Sequence, residues 1–233
     1  MRPASPWLRA GTVRLEDLRP ATGRGVRIAV IDSGVHATHP HIGGVAGGVS
    51  VSLAGELGDD YVDRLGHGTA VTAAIREKAP GAEVWVARVF DRRLDTSVDA
   101  LVAAIRWAID CGAHLVNLSL GTSNQEHGER LQAVVRLAAD AGACVVAAGE
   151  HNGVRWLPGS LDEAVSVTLD WTLPRETCVV LAGPNAERSV RASGYPRPIP
   201  GVDPERNLKG LSFAVANATG LMALMLEQEG AGL

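Results

Sequence analysis

Short β-branched runs alternate with amphipathic helical stretches along this chain, and few folds accommodate that order. The runs are Val26–Ile31, Val84–Val89, His114–Leu118, Cys144–Ala147, Ala164–Val167 and Thr177–Leu181. Between them, Ser97–Asp110 carries Val98, Leu101, Val102, Ile105 and Ile109 on one helical face, and Gly112 supplies the stop. Gly128–Ala141 repeats the pattern with Leu131, Val134, Val135 and Ala138, closed by Gly142. A helical run also follows Gly66–Ala70 to Lys78, and Ser212–Leu226 is apolar nearly all round, which predicts a central buried helix. Strands apolar on both faces and separated by crossover helices require a mostly parallel sheet covered on both sides, so the expected class is an α/β three-layer sandwich. With 233 residues the expectation is a single domain over 1–233. Residues 1–24 read as an N-terminal extension, Gly43–Asp63 as a surface loop or short hairpin, and 183–209, with five prolines, as an irregular excursion.

Several function classes are excluded at this level. A net charge of -4 gives no basic surface for nucleic acid. No apolar run has the length of a membrane span, and Met1–Leu15, interrupted by arginines and prolines, has no apolar signal-peptide core, so a cytoplasmic location is expected. Cys111, Cys144 and Cys178 lack metal-ligand spacing, and Cys111 and Cys144 fall in apolar segments where a buried thiol is expected. No cofactor is implied.

Three short motifs carry chemistry. Val30-Ile31-Asp32-Ser33-Gly34-Val35 ends a strand with an acid, where parallel sheets expose functional groups. Gly66-His67-Gly68-Thr69-Ala70 puts a histidine with backbone room at a helix start. Gly210-Leu211-Ser212-Phe213-Ala214 opens the buried helix with a serine. Singly these read equally as a turn acid, a loop histidine and an N-cap. Together they offer a nucleophile, a base to take its proton, and an acid to hold the base. The order Asp, His, Ser along the chain is that of subtilisin, not of chymotrypsin or the α/β-hydrolases.

On these blocks, together with Asn117-Leu118-Ser119-Leu120-Gly121-Thr122, the chain resembles the subtilisin-like serine proteases from Gly25 to Leu226. The resemblance implies that Asp32 orients His67, that His67 serves as base and then acid, and that Ser212 attacks the scissile carbonyl. It implies that Ser119-Leu120-Gly121 pairs with an extended peptide and forms one wall of the S1 pocket, with Ala147-Ala148-Gly149 opposite. Arg93–Ser97 would be a second edge for the substrate backbone. It also implies a cis peptide at Leu157–Pro158.

The chain departs from that family after Gly149. The usual asparagine donor to the oxyanion is replaced by Glu150, followed by His151 and Asn152. A carboxylate cannot donate unless protonated. Three resolutions are open: Asn152 acts as a shifted donor, burial protonates Glu150, or the site is slow or inactive. The Ser212 backbone N–H would remain as a second donor. Leu211 and Ala216 stand where relatives carry Thr and Pro, and His41 replaces a calcium-ligating acid. The insertion completing that calcium site is missing after Arg76–Pro80, so no metal is expected there or at His36, His39 and His41. Thirteen residues follow Gly220 and no inhibitory propeptide of the usual size is expected before Asp32, which would suit narrow specificity, low activity or a required partner.

The function expected is a serine endopeptidase of narrow range acting on a peptide or protein, such as a biosynthetic precursor peptide, with an activating protein as a further partner. The alternative is a weak or inactive relative that binds peptides as a regulatory subunit. An esterase or transpeptidase role would use the same three residues.

Overall fold

The computed structural model describes residues 7–182 and 188–230. Its strands in chain order are β1 (Gly11–Arg14), β2 (Arg27–Asp32), β3 (Gly47–Val51), β4 (Leu57–Gly58), β5 (Glu83–Arg88), β6 (Leu115–Leu118), β7 (Cys144–Ala148), β8 (Glu150–His151), β9 (Val154–Arg155), β10 (Val165–Leu169), β11 (Thr177–Ala182) and β12 (Arg188–Ala192). The helices are α1 (His67–Lys78), α2 (Val98–Asp110), α3 (Gly128–Asp140) and α4 (Leu211–Gln228). Ten strands form one sheet in the order β1-β11-β12-β10-β7-β6-β2-β5-β3-β4, parallel from β12 through to β3, and β8 and β9 make a separate hairpin. This is the expected mostly parallel α/β sandwich.

Alternation along each strand sorts the core into two layers. Ile28 and Val30 of β2 pack with Val71 and Ile75 of α1 and Leu221 of α4; Ala29 and Ile31 pack with Leu101 and Ile105 of α2 and Leu131 and Val135 of α3. Helices α2 and α3 end alike. The N–H of Gly112 reaches the Ile109 carbonyl and that of Ala113 the Ala108 carbonyl; Gly142 and Ala143 repeat this on Ala139 and Ala138. Each glycine takes the left-handed conformation that this C-terminal motif requires.

Three segments differ from expectation. Residues 11–14, inside the presumed extension, form the edge strand β1, antiparallel to β11. Within 183–209, residues 188–192 form a strand between β10 and β11, with Val190 and Ala192 fully buried. Pro196, Pro198, Pro200 and Pro204 all follow it, whereas Pro184 lies outside the described residues. Residues 43–63 contain a hairpin, but β3 is also a full member of the main sheet beside β5. Cys144 and Cys178 are buried and Cys111 is only half-buried. Among the described residues, no helix is long and apolar enough to cross a membrane.

Helices α1 and α4 approach closely because Gly220 has no Cβ: one there would lie 3.0 Å from Cβ and 3.1 Å from Cδ of Lys78. That lysine is 2% exposed, with its ammonium 3.5 Å from Glu77, which also pairs with Arg175. Burial, with the nearby Arg175 charge, lowers its pKa from 10.5 to about 8. The folded state therefore disfavours the cation, and stability rises with pH from about 8 until the unfolded chain's lysine also deprotonates near 10.5. The shift corresponds to about 3 kcal/mol. Lys78→Met, which keeps the packing stem, is expected to raise the urea midpoint at pH 7 by the equivalent of about 2 kcal/mol. That gain should shrink towards zero at pH 10.5; a pH-independent difference would mean that the lysine's charge is not its cause.

Candidate active site

Sheet order places the site. From β2 the chain moves outward to β3, beyond β5, while from β6 it moves the opposite way to β7, so β2 and β6 are neighbours whose connections diverge. A crevice opens at the carboxyl ends of such strands. Asp32 ends β2 and Ser119 follows β6 directly. Asp32 shares the parity of Ile28 and Val30, so it faces the layer of α1 and α4, whose first residues include His67 and Ser212.

The fully buried Asp32 places Oδ1 2.7 Å from His67 Nδ1 and accepts from the Ser33 N–H on the same oxygen, also at 2.7 Å. Gly68 is needed beside the histidine, since a Cβ there would collide with the Gly34 carbonyl oxygen. The loop before His67 is organised by Asp63, which is 2% exposed. Its Oδ1 accepts from Ser33 Oγ (2.8 Å) and from the N–H groups of Leu65 (2.9 Å) and Gly66 (2.8 Å). Its Oδ2 accepts from the Thr69 N–H (2.8 Å) and hydroxyl (2.6 Å). Burial alone would raise the Asp63 pKa, but these hydrogen bonds, led by those from Thr69, hold it below the usual value. For His67, burial opposes the imidazolium; the hydrogen bond and charge of Asp32, with the charge of Asp63, outweigh it and raise the pKa above 6.5.

Ser212 is the second residue of α4, where a backbone N–H has no partner within the helix. Its hydroxyl donates to the Ser119 carbonyl at 3.0 Å, and Ser119 Oγ donates to the Ser212 carbonyl, also at 3.0 Å. Asn117, fully buried on β6, supports this pair. Its Nδ2 donates to Ser119 Oγ (3.0 Å), and its Oδ1 accepts from Thr219 of α4 (2.9 Å). Phe213 lays its ring 5.8 Å from the His67 ring, centroid to centroid.

A groove of about 620 Å³ runs from His67 and Ser212 between residues 94–99 and 119–122. Ser119, Leu120 and Gly121 line it, as do Asp95, Thr96 and Ser97 of the expected second edge, while Leu94 stands 62% exposed at its rim. Ala147, Ala148 and Gly149 lie at the end of β7 and just beyond, beside β6. Trp156 and Leu157 lace the two segments together: the Trp156 N–H reaches the Gly149 carbonyl at 2.8 Å, and Leu157 and Thr122 exchange bonds of 2.8 and 2.9 Å. The Leu157–Pro158 peptide is cis.

Glu150 and Asn152 belong to the β8–β9 hairpin, and neither lines that groove. Asn152 (φ 51°) and Gly153 (φ 75°) are its two tip residues, the Asn-Gly pair such turns favour. Asn152 is exposed there, in a turn conformation that by itself favours asparagine. Glu150 is exposed as well. Sequence reasoning missed Asp63 and Asn117; the signals are an acid four residues before the histidine and a polar residue inside an apolar strand. His39 and His41 stack edge to face at 5.1 Å, and among the described residues no group of three or more His, Cys, Asp or Glu is arranged to hold a metal ion.

The chain is similar to several known proteins. Subtilisin Savinase of Lederbergia lenta is 29% identical over 218 residues, covering 87% of this chain and 74% of Savinase. A thermostable alkaline protease of Halalkalibacterium halodurans is 34% identical over 140 residues, covering 56% of this chain and 37% of that protein. The chain thus spans well under two thirds of the second relative's length. Among solved structures, the prenylagaramide maturation protease PagA superposes with a TM-score of 0.68 at 24% identity, covering 93% of this chain and 82% of PagA. The family model described as the subtilase family matches residues 23–168. On that match, over more than half its length, the chain belongs to the subtilase family.

Proposed function

We propose that the protein is a serine endopeptidase in which Ser212 is the nucleophile, His67 the general base and then acid, and Asp32 the group that fixes the imidazole. The observation that carries the reading is the 2.7 Å contact between Asp32 Oδ1 and His67 Nδ1 at the end of a groove that Ser212 also lines. The Asp32 contact assigns the proton to Nδ1 and leaves Nε2 to accept. In the resting arrangement the Ser212 hydroxyl is bonded to the Ser119 carbonyl. Redirecting it to His67 Nε2 arms the nucleophile, since such bonds are often unmade before substrate arrives. Ser212 Oγ then adds to the scissile carbonyl as its proton passes to His67. The amine leaves with that proton, and water, deprotonated by His67, releases the acyl group. The Ser212 N–H, at the positive end of α4, is the oxyanion donor we assign.

The substrate enters as an extended segment between Leu120 and residues 94–97, with main-chain hydrogen bonds to Ser119–Gly121 supplying affinity. A precursor peptide is the substrate class we propose, supported by the fold shared with a protease named for maturation. The competing reading, a peptide-binding regulatory subunit, is favoured by one feature, the exposed Glu150 in place of an amide donor. Fluorophosphonate labelling of the wild type beside Ser212→Ala, with mass spectrometry to locate the adduct, decides between them. A stoichiometric adduct on Ser212 supports the peptidase; none on demonstrably folded protein leaves the binding subunit.

A further inference from the structure

The mechanism above leaves the buried carboxylate of Asp63 unused. Asp63 lies on none of the residues that touch substrate, yet it accepts five hydrogen bonds from both sides of the Asp32–His67 pair. Ser33 is the link on the Asp32 side. Its hydroxyl donates to Asp63 and accepts from the Gly68 N–H at 2.8 Å, while its own N–H holds Asp32 Oδ1. Leu65, Gly66 and Thr69 are the links on the His67 side, bracketing the histidine in sequence. Thr69 extends the frame further, because its hydroxyl also accepts from the His36 N–H at 3.0 Å. A loop of this kind, without secondary structure from Asp63 to Gly66, would otherwise satisfy its backbone in several ways.

We propose that Asp63 is a positioning residue for the Asp32–His67 pair, its carboxylate setting where the imidazole stands and adding negative charge behind it. The inference rests on the peptidase reading. Only a carboxylate fits the role: both oxygens must accept, and an amide would turn one of them into a donor facing donors. The charge also matters, since it stabilises the imidazolium that forms when Ser212 gives up its proton. Asp32 from β2 and the uncharged Phe213 from α4 also face His67, and Asp95, Asp99, Arg130 and His127 line the same groove. Asp99 and Arg130 pair with each other, and Asp95 with Arg93.

The test is Asp63→Asn in the full chain, read in two ways. Histidine-detected NMR should show the His67 pKa falling by about 0.5–1 unit, with the low-field Nδ1 proton resonance shifted or broadened. Fluorophosphonate labelling of Ser212 should slow about tenfold at pH 7, with the KM for a peptide ester little changed. A purely structural role would lower the unfolding temperature and leave the His67 pKa and resonance in place, which would overturn the proposal. Should Asp63→Asn fail to fold, Ser33→Ala removes one link without touching the acid. It is expected to perturb the same Nδ1 proton resonance and slow labelling severalfold, and an unchanged spectrum and rate would overturn the proposal equally. Absence of labelling in the wild type would instead refute the peptidase reading, while the His67 titration still decides the role of Asp63.

Discussion

Alanine at Ser212 or at His67 is expected to lower kcat by about 10⁴–10⁶-fold against a peptide substrate, and the double variant should be no slower than either single one. The lack of additivity follows from the chemistry. Without a base, the Ser212 hydroxyl is a poor nucleophile; without the hydroxyl, His67 has nothing to activate. KM should change little, because main-chain pairing along 119–121 does not depend on either side chain. In the wild type, kcat/KM should fall as pH drops through the raised His67 pKa, since only neutral imidazole can take the Ser212 proton. Steady-state kinetics from pH 5 to 9 on the four proteins test this. Losses that multiply in the double variant would mean that the two residues act separately and would reject a shared proton transfer.

Much of this site is legible in sequence because its residues sit at punctuation points of the fold. Asp32 ends a strand that is apolar on both faces, His67 starts a helix between glycines, and Ser212 starts a helix apolar all round, so each is tied to an element that periodicity reveals. Asp63 has no such tie. In sequence it is one acid in a polar loop, and only the convergence of Ser33 and Thr69 buries it. The same limit hides β3. Gly47 and Gly48 read as a loop, yet a Cβ on Gly47 would strike the Trp85 ring and one on Gly48 would strike Tyr61 and the Val86 carbonyl. Those glycines allow close backbone approach within the sheet, a requirement that local propensity does not record. Strand β12 is masked differently, by the prolines that crowd the residues after it. Asn152 carries two signals at once: an amide able to donate, and the Asn-Gly pair that favours the hairpin turn it occupies.

Glu150 governs the second large effect. The residue after Gly149 opens β8, and its backbone place is set by the pairing of 150 with 155 and by the Gly149 N–H bonded to Val167 at 2.9 Å. Neither constraint involves the Glu150 side chain, so substitution there should leave the fold intact. A carboxylate within reach of an oxyanion held by the Ser212 N–H would repel the developing charge, whereas an amide would donate to it. Removing one such donor from an oxyanion hole costs about 10²–10³ in kcat. Glu150→Asn is therefore expected to raise kcat by about 10²-fold or more, with KM nearly constant, because the added bond forms only in the transition state. Glu150→Ala separates the two contributions: it relieves the repulsion without supplying a donor, and should give only a small part of the gain. Single-turnover acylation of a peptide ester measures both variants without interference from product release. An Asn variant no faster than the Ala variant would show that position 150 does not reach the oxyanion, leaving the Ser212 N–H as the donor that limits the rate.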